Sequence, residues 1–258
     1  MKTLFIGQNS CNLKSTDSTN SYASELLRQK VQPEGTMIYT FDQQNGRGQR
    51  GNTWYSQPNK NATLSYILHP TFLQLEKQFL LNKITCLAVA DLMAENLTYS
   101  KEISEANKLV QIKWPNDIYV GNKKIAGILI ENALRESSIK TSIVGIGINI
   151  NQTEFKDQIN ATSLALLTNS NYDLMQLIER LCEFMEARYL QLKANKTDAI
   201  DTEYLQKLFQ LNEWKNYTLN NEIFEGKIIG VSSFGKLQME LRRAEIKEFY
   251  LNEIGFVI

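Results

Sequence analysis

The sequence predicts an α+β fold: strands and helices interleaved over residues 1–208, then a small all-β region over 209–258. Three observations predict it. Apolar residues Leu75, Phe79, Leu80, Ile84, Leu87, Ala88 and Met93 recur at helical spacing. Three apolar runs, LVQIKW (109–114), KIAGILIEN (124–132) and TSIVGIGINI (141–150), read as strands. From about Leu211 the texture turns to short alternating pieces, NYTLN, IFEGKIIGVS, KLQMEL and IKEFYL. That last stretch is too small to be a sheet enzyme alone.

The elements follow in order. Residues 2–7 read as a short strand. A polar stretch from Ser15 to Ser24 leads into the helical pattern SELLRQK. TMIYTFDQQ (36–44) alternates apolar and aromatic residues like a strand. NGRGQRGNTWYSQPNKN (45–61) is a glycine-rich polar loop, and ATLSYILHP after it is a strand. Residues 75–98 form a helix, and PNDIYVGNK makes a hairpin-like connection between the first two apolar runs. Residues 173–208 form one long helix or two.

Composition narrows the class. At 43% hydrophobic and 22% charged residues the chain is globular, and its 258 residues can bury a core without disulfides or metals. Lys+Arg and Asp+Glu both count 28. That balance excludes a broadly basic nucleic-acid protein and leaves a local basic pocket open. Cys11, Cys86 and Cys182 match no zinc or redox spacing and read as reduced thiols, which fits the cytoplasm. No apolar run approaches the roughly 20 residues of a membrane span, and the start MKTLFIGQNS has no signal core. His69 is the only histidine, followed by Pro70. Any histidine triad, zinc hydrolase or proton shuttle must run through it, and a strand terminus is the plainer reading.

Four constellations carry chemistry. Gly46-Arg47-Gly48-Gln49-Arg50-Gly51 satisfies G-x-G-x-x-G, but Asn52 to Pro58 opens no helix, so the dinucleotide reading fails. No H-R-D or D-F-G motif supports a kinase loop. What remains is a flexible loop whose glycines let backbone approach a ligand and whose arginines grip anions; a solvated surface loop weighs equally. Lys113-Trp114-Pro115-Asn116-Asp117 ends an apolar strand with a lysine, which is costly there unless an anion pairs with it. The plainer reading is a strand end and a turn. Lys123-Lys124-Ile125-Ala126-Gly127 opens a buried strand, where two exposed lysines would be ordinary. Two lysine-bearing strand ends in one hairpin-like unit favour a shared cationic pocket. Asp17-Ser18-Thr19-Asn20 stands at a helix start, where capping explains it and a polar ligand would also be received. Together they argue for an anionic substrate beside a nucleotide, activated by positioning and charge neutralisation.

These segments, DSTN at 17–20, QQNGRGQRGNTW at 43–54, KWPND at 113–117, KIAGILIE at 124–131 and GIGINI at 145–150, resemble the biotin–protein ligases in the family's order. The resemblance implies a mixed β-sheet packed by helices, of the class II synthetase type, with a small C-terminal SH3-like β-barrel. It implies that biotin and ATP, with Mg²⁺, give biotinyl-5′-AMP and pyrophosphate. The biotinyl group then passes to a lysine of a biotin carboxyl carrier domain. Ser18, Thr19, Asn20, Gln43, Gly46, Arg47, Gly48, Gln49, Lys124 and Gly127 would bind biotin and its adenylate. Arg50, Trp54, Lys113, Asn116 and Asn149 would surround the nucleotide. Arg47, Lys113, Asp117 and Lys124 would carry the chemistry, with Asp117 orienting or deprotonating the acceptor lysine. No residue is singled out as a protein metal ligand.

Two departures stand out. Gln49 and Asn52 occupy loop positions that are often basic in the family, which leaves the retention of the adenylate open. DSTN begins at residue 17, so the chain resembles the catalytic-only members and is expected to bind no DNA; the lack of a long apolar run likewise gives no membrane partner. Some bacterial members dimerise through sheet edges, so a homodimer is among the allowed states. A lipoate-type ligase would carry a histidine near a glycine-rich segment, and none occurs here. A non-catalytic biotin or nucleotide regulator would need no pair of anion-neutralising lysines.

Overall fold

The structure is a computed structural model that describes residues 2–98, 109–136, 138–155, 160–251 and 253–257. Its larger sheet contains β1 (Ser10–Leu13), β2 (Thr36–Thr40), β5 (Ala62–Leu68), β6 (Val110–Lys113), β7 (Asp117–Val120), β8 (Lys123–Arg135) and β9 (Ser138–Ile148). The strand order is β1-β2-β5-β9-β8-β7-β6. β1 runs parallel to β2 and the other pairings are antiparallel, so the sheet is mixed as expected. Between β2 and β5 a ribbon of β3 (Gly46–Arg47) and β4 (Thr53–Trp54) stands apart from this sheet.

Alternation along the strands separates two faces. Met37, Tyr39, Leu64, Tyr66, Val144, Ile146 and Ile148 join the main core with α2 (Phe79–Thr98) and α4 (Leu174–Lys193). Their neighbours Ile38, Ile67 and Ile143 face the other way, against Ala23 of α1 (Thr19–Gln29). The helix α2 is buried almost all round, because α4 and α5 (Thr197–Gln206) cover the side that the sheet leaves. Each large side chain fully buried there contributes about 1.5–3 kcal/mol. A short α3 (Leu164–Thr168) precedes α4. None of the described helices is long and apolar enough to cross a membrane.

The chain ends in a second sheet: β10 (Trp214–Leu219), β11 (Glu222–Val231), β12 (Leu237–Leu241), β13 (Ile246–Phe249) and β14 (Ile254–Phe256). It is antiparallel and SH3-like, in the order β13-β12-β11-β10-β14. The expected barrel is not closed. Among the described residues β13 pairs only with β12, and the three residues of β14 pair only with β10. The segment leading into this sheet runs along the β6 edge, where Ile112 N donates to Lys207 O (2.7 Å) and Phe209 N donates to Ile112 O (2.9 Å). Trp114 Nε1 donates to Gly235 O at 2.9 Å.

Several sequence expectations shift. Residues 2–7 are not a strand. The amides of Leu4, Phe5 and Ile6 turn inward onto the buried Glu186 carboxylate at 2.6, 2.8 and 3.0 Å, which no sheet ladder would allow. Helix α1 begins where Asp17-Ser18-Thr19-Asn20 placed a helix start: Ser18 caps it by accepting from Ser21 N, so the helix opens at Thr19, ahead of the apolar pattern. The segment PNDIYVGNK is not a bare connection; it holds β7. The last strand, β14, carried no alternating signal. His69 closes β5, its Nε2 2.8 Å from Gln32 O and its Nδ1 3.2 Å from Thr141 Oγ1. The three thiols are unpaired, and burial pushes Cys182 up to about 11.

Glu186→Ala would strand three inward-facing amides. It should lower the unfolding free energy by about 3 kcal/mol, read from urea denaturation. A loss below about 1 kcal/mol would mean that the N-terminal turn is held by other contacts.

Candidate active site

The site is built on glycine. Gly127 of β8 and Gly147 of β9 are directly opposed, and Gly145 lies two residues back on the same face of β9. A Cβ on Gly147 would fall inside the Trp54 indole, and one on Gly127 would come within 3.0 Å of it. A Cβ on Gly145 would collide with the Asn20 amide. Only bare backbone lets these side chains rest on the sheet. Gly46 does the same beneath the ribbon, where a Cβ would strike the Trp54 carbonyl and the Gln43 amide.

Over β5 and β9 sits a neutral hydrogen-bonding cluster supplied by the first turn of α1. Thr19 N donates to Gln43 Oε1 at 2.9 Å. The Ser65 hydroxyl donates to Asn20 Oδ1 at 2.6 Å and lies 2.7 Å from the Thr19 hydroxyl. Asn20 Nδ2 donates to Glu131 Oε2 at 2.8 Å, and Glu131 Oε1 receives Arg47 Nη2 at 2.7 Å. Ser18, Thr19, Asn20, Gln43 and Ser65 are all buried, so each pairing fixes a donor or acceptor direction.

Over β8, β7 and β6 sits a cationic cluster. Lys124 Nζ lies 2.6 Å from Asp117 Oδ1 and 5.5 Å above the Trp54 ring. Lys113 Nζ donates to Tyr119 Oη at 3.3 Å. Burial holds the Lys113 ammonium below the usual lysine range, and the nearby Lys124 adds to this while Asp117 opposes it. Burial and then Asp117 push Tyr119 up to about 12, so its hydroxyl stays protonated. Trp54 lies between the two clusters, its Nε1 buried without a partner among the described residues.

A cavity of about 280 Å³ runs across both clusters. Of the residues singled out from the sequence, Ser18, Thr19, Asn20, Gln43, Arg47, Gly48, Gln49, Trp54, Lys113, Asn116, Asp117, Lys124 and Gly127 border it. The Asn116 amide is committed to the Ile128 carbonyl and fastens the turn after Lys113 to β8. Gly46 lies beneath the border rather than on it. Asn149, expected beside the nucleotide, does not line the cavity. Its amide donates to Thr162 O at 3.1 Å, because residues 160–162 cover that end of the strand. The Arg50 side chain lies outside the described residues.

Sequence reasoning passed over Gly145, Ser65 and Glu131, and it gave no role to Leu251, Ile254, Gly255 and Phe256, which wall the cavity from the second sheet. The alternating glycines in Gly145-Ile146-Gly147 were a usable signal, since glycine weakens a strand unless something approaches it closely. The C-terminal residues gave none. The cavity as a whole suits an elongated ligand with a neutral, hydrogen-bonding head and an anionic tail.

A family model described as the biotin/lipoate A/B protein ligase family matches residues 13–149. The chain is 31% identical over 268 residues to the bifunctional ligase/repressor BirA of Bacillus subtilis (strain 168), covering 98% of this chain and 76% of that one. It is 28% identical over 187 residues to the biotin–[acetyl-CoA-carboxylase] ligase of Mycobacterium tuberculosis, covering 72% and 66%. Among solved structures, the biotin protein ligase from Aquifex aeolicus in complex with biotin and ATP aligns with a TM-score of 0.77 at 27% identity, covering 96% of this chain and 98% of that one.

Gly147→Ala should lift the Trp54 indole off the sheet. The fold should survive at a cost of about 1–3 kcal/mol, while the Trp54 indole N–H resonance moves. An unmoved resonance in a folded variant would show that the ring does not rest on Gly147.

Proposed function

The chain belongs to the biotin/lipoate A/B protein ligase family, and from that premise we propose that it activates biotin with ATP and transfers it to a lysine of a biotin carboxyl carrier domain. One observation carries the reading. A single cavity has a neutral hydrogen-bonding end and a cationic end, with Trp54 between them.

In this reading the ureido ring of biotin meets Ser18, Thr19, Asn20 and Gln43, and the valeryl chain passes the glycine floor. The biotin carboxylate then reaches Lys124, and the α-phosphate of ATP lies by Lys113. Both reactants are anions, so their approach is opposed until lysine charge offsets it. A carboxylate oxygen attacks the α-phosphorus. The bond from that phosphorus to the bridging oxygen breaks, and pyrophosphate leaves with its electron pair. Arg47, here paired with Glu131 and half exposed, is the residue we assign to cover the adenylate when the glycine-arginine loop closes. Closure keeps the reactive mixed anhydride from water.

In the second step the acceptor amine attacks the acyl carbon, the bond to AMP breaks, and an amide forms. The amine must first be neutral, from a starting pKa of about 10.4. Asp117 is the only carboxylate among the described residues bordering the cavity, and we assign it to orient that amine and take its proton. Among the described residues no three His, Cys, Asp or Glu side chains converge as a metal cluster. Mg²⁺ enters as part of MgATP, held by phosphate oxygens and water. ATP as substrate and three unpaired thiols support a cytoplasmic setting.

The test is pyrophosphate release from biotin, ATP and Mg²⁺, followed by label transfer to a carrier domain. Lys124→Ala should cut pyrophosphate release by roughly 100-fold, about 3 kcal/mol of transition-state stabilisation, with the fold intact. Wild-type rates at saturating biotin would refute the role. A second expectation concerns pH. The charged form of Lys113 binds phosphate, and burial lowers its pKa, so the charge is lost earlier as pH rises than for a lysine at 10.5. The KM for ATP should therefore climb in the alkaline range below that value, and Lys113→Arg should abolish the climb. A flat profile in the wild type would exclude Lys113 as the titrating group.

A further inference from the structure

The described cations on the cavity wall are held in two different ways. Arg47 is paired with Glu131 at 2.7 Å and Lys124 with Asp117 at 2.6 Å. Lys113 faces Asp117 directly across the β6–β7 register, yet Asp117 turns to Lys124. Among the described residues Lys113 has no carboxylate partner. Its ammonium stands instead 5.2 Å from the centre of the Tyr119 ring and 4.9 Å from that of Phe256. Both distances lie inside the roughly 6 Å reach of a cation–π contact.

The two rings come from different sheets. Tyr119 is on β7 and Phe256 is on β14, near the end of the chain. Phe256 is braced edge-on against Tyr217, with ring centres 5.3 Å apart and planes at 74°. Phe209 links the two, 5.5 Å from Tyr119 and 6.5 Å from Phe256. The ammonium is therefore confined by a rigid aromatic frame. A carboxylate would confine it equally well but would offset its charge. Aromatic faces attract the cation and leave its charge for an incoming anion. Among the described residues, one of its three N–H donors is engaged, by the Tyr119 hydroxyl.

We infer that Phe256 is a positioning residue for the activation step: from the last strand of the second sheet it holds the Lys113 ammonium at the phosphate end of the cavity, so that the C-terminal sheet sets the affinity for triphosphate through Lys113. The inference rests on the proposed function in taking ATP as the anion.

The experiment uses the full chain and compares Phe256→Leu, which keeps apolar bulk, with Phe256→Tyr, which keeps the ring. Four readouts are needed: KM for ATP, kcat for pyrophosphate release, biotin affinity without nucleotide, and calorimetric affinity for inorganic tripolyphosphate. Phe256→Leu should raise the KM for ATP and weaken tripolyphosphate about tenfold, with kcat and biotin affinity within about twofold at this order of magnitude. Phe256→Tyr should restore both. In a Lys113→Ala background Phe256→Leu should weaken tripolyphosphate no further, since the two residues act as one unit. Unchanged tripolyphosphate affinity in Phe256→Leu overturns the inference, as does a loss that adds to that of Lys113→Ala. Weakening of ATP alone overturns it too, because the ring would then be meeting the base. If Phe256→Leu does not fold, Phe256→Met carries the same readings. A wild-type chain that releases no pyrophosphate would end the proposed function, while the tripolyphosphate cycle would still decide the role of Phe256.

Discussion

The site depends on one steric constraint: Trp54 must lie on β8 and β9 without a side chain beneath it. Gly127 and Gly147 meet this from two strands at the same register step, and Gly145 makes the matching space for Asn20. Each glycine weakens its strand on its own. The weakness is offset by the opposite face of the same strands, where Val144, Ile146, Ile148 and Ile128 are buried in the main core. The cavity floor and the hydrophobic core are thus two faces of one pair of strands. A change to either is felt by the other through a single layer of backbone.

Charge is arranged on this floor by burial. Arg47 is half exposed, and its pairing with Glu131 is screened and contributes little to stability. That suits the role proposed for Arg47, in which it leaves Glu131 to cover the adenylate. Lys124 and Asp117 are more enclosed and keep one another oriented. Lys113 is desolvated and shares its Tyr119 hydroxyl contact with two aromatic faces. The gradient from an exposed ion pair to a desolvated cation follows the strand order from β8 toward β6. It leaves the most reactive electrostatics where water is scarcest.

The second sheet is tied into this arrangement by a shared core and by specific contacts near Lys113. Trp114, next to Lys113, donates to the Gly235 carbonyl, and Phe209 bridges Tyr119 and Phe256. The turn that aims Lys113 and the strand that carries Phe256 are therefore fixed relative to each other. Small displacements of the second sheet would reach the lysine before they reached the neutral cluster over β5.

By itself the sequence determined the type and order of most elements, because apolar periodicity is local and strands and helices differ in period. It also brought forward Arg47, Lys113, Asp117 and Lys124, since charge at strand ends and in a glycine loop is anomalous without a partner. Boundaries were less legible. The capped start of α1 at Ser18 could be read from Asp17-Ser18-Thr19-Asn20, but the amides of Leu4, Phe5 and Ile6 are held in a turn by Glu186, about 180 positions away. Only the tertiary structure decided which side chains meet. It committed the Asn149 amide to the Thr162 carbonyl, paired Arg47 with Glu131, and brought Phe256 of the second sheet to Lys113. Those contacts depend on strand order and on how two sheets pack, and neither is encoded in the spacing of residues along the chain.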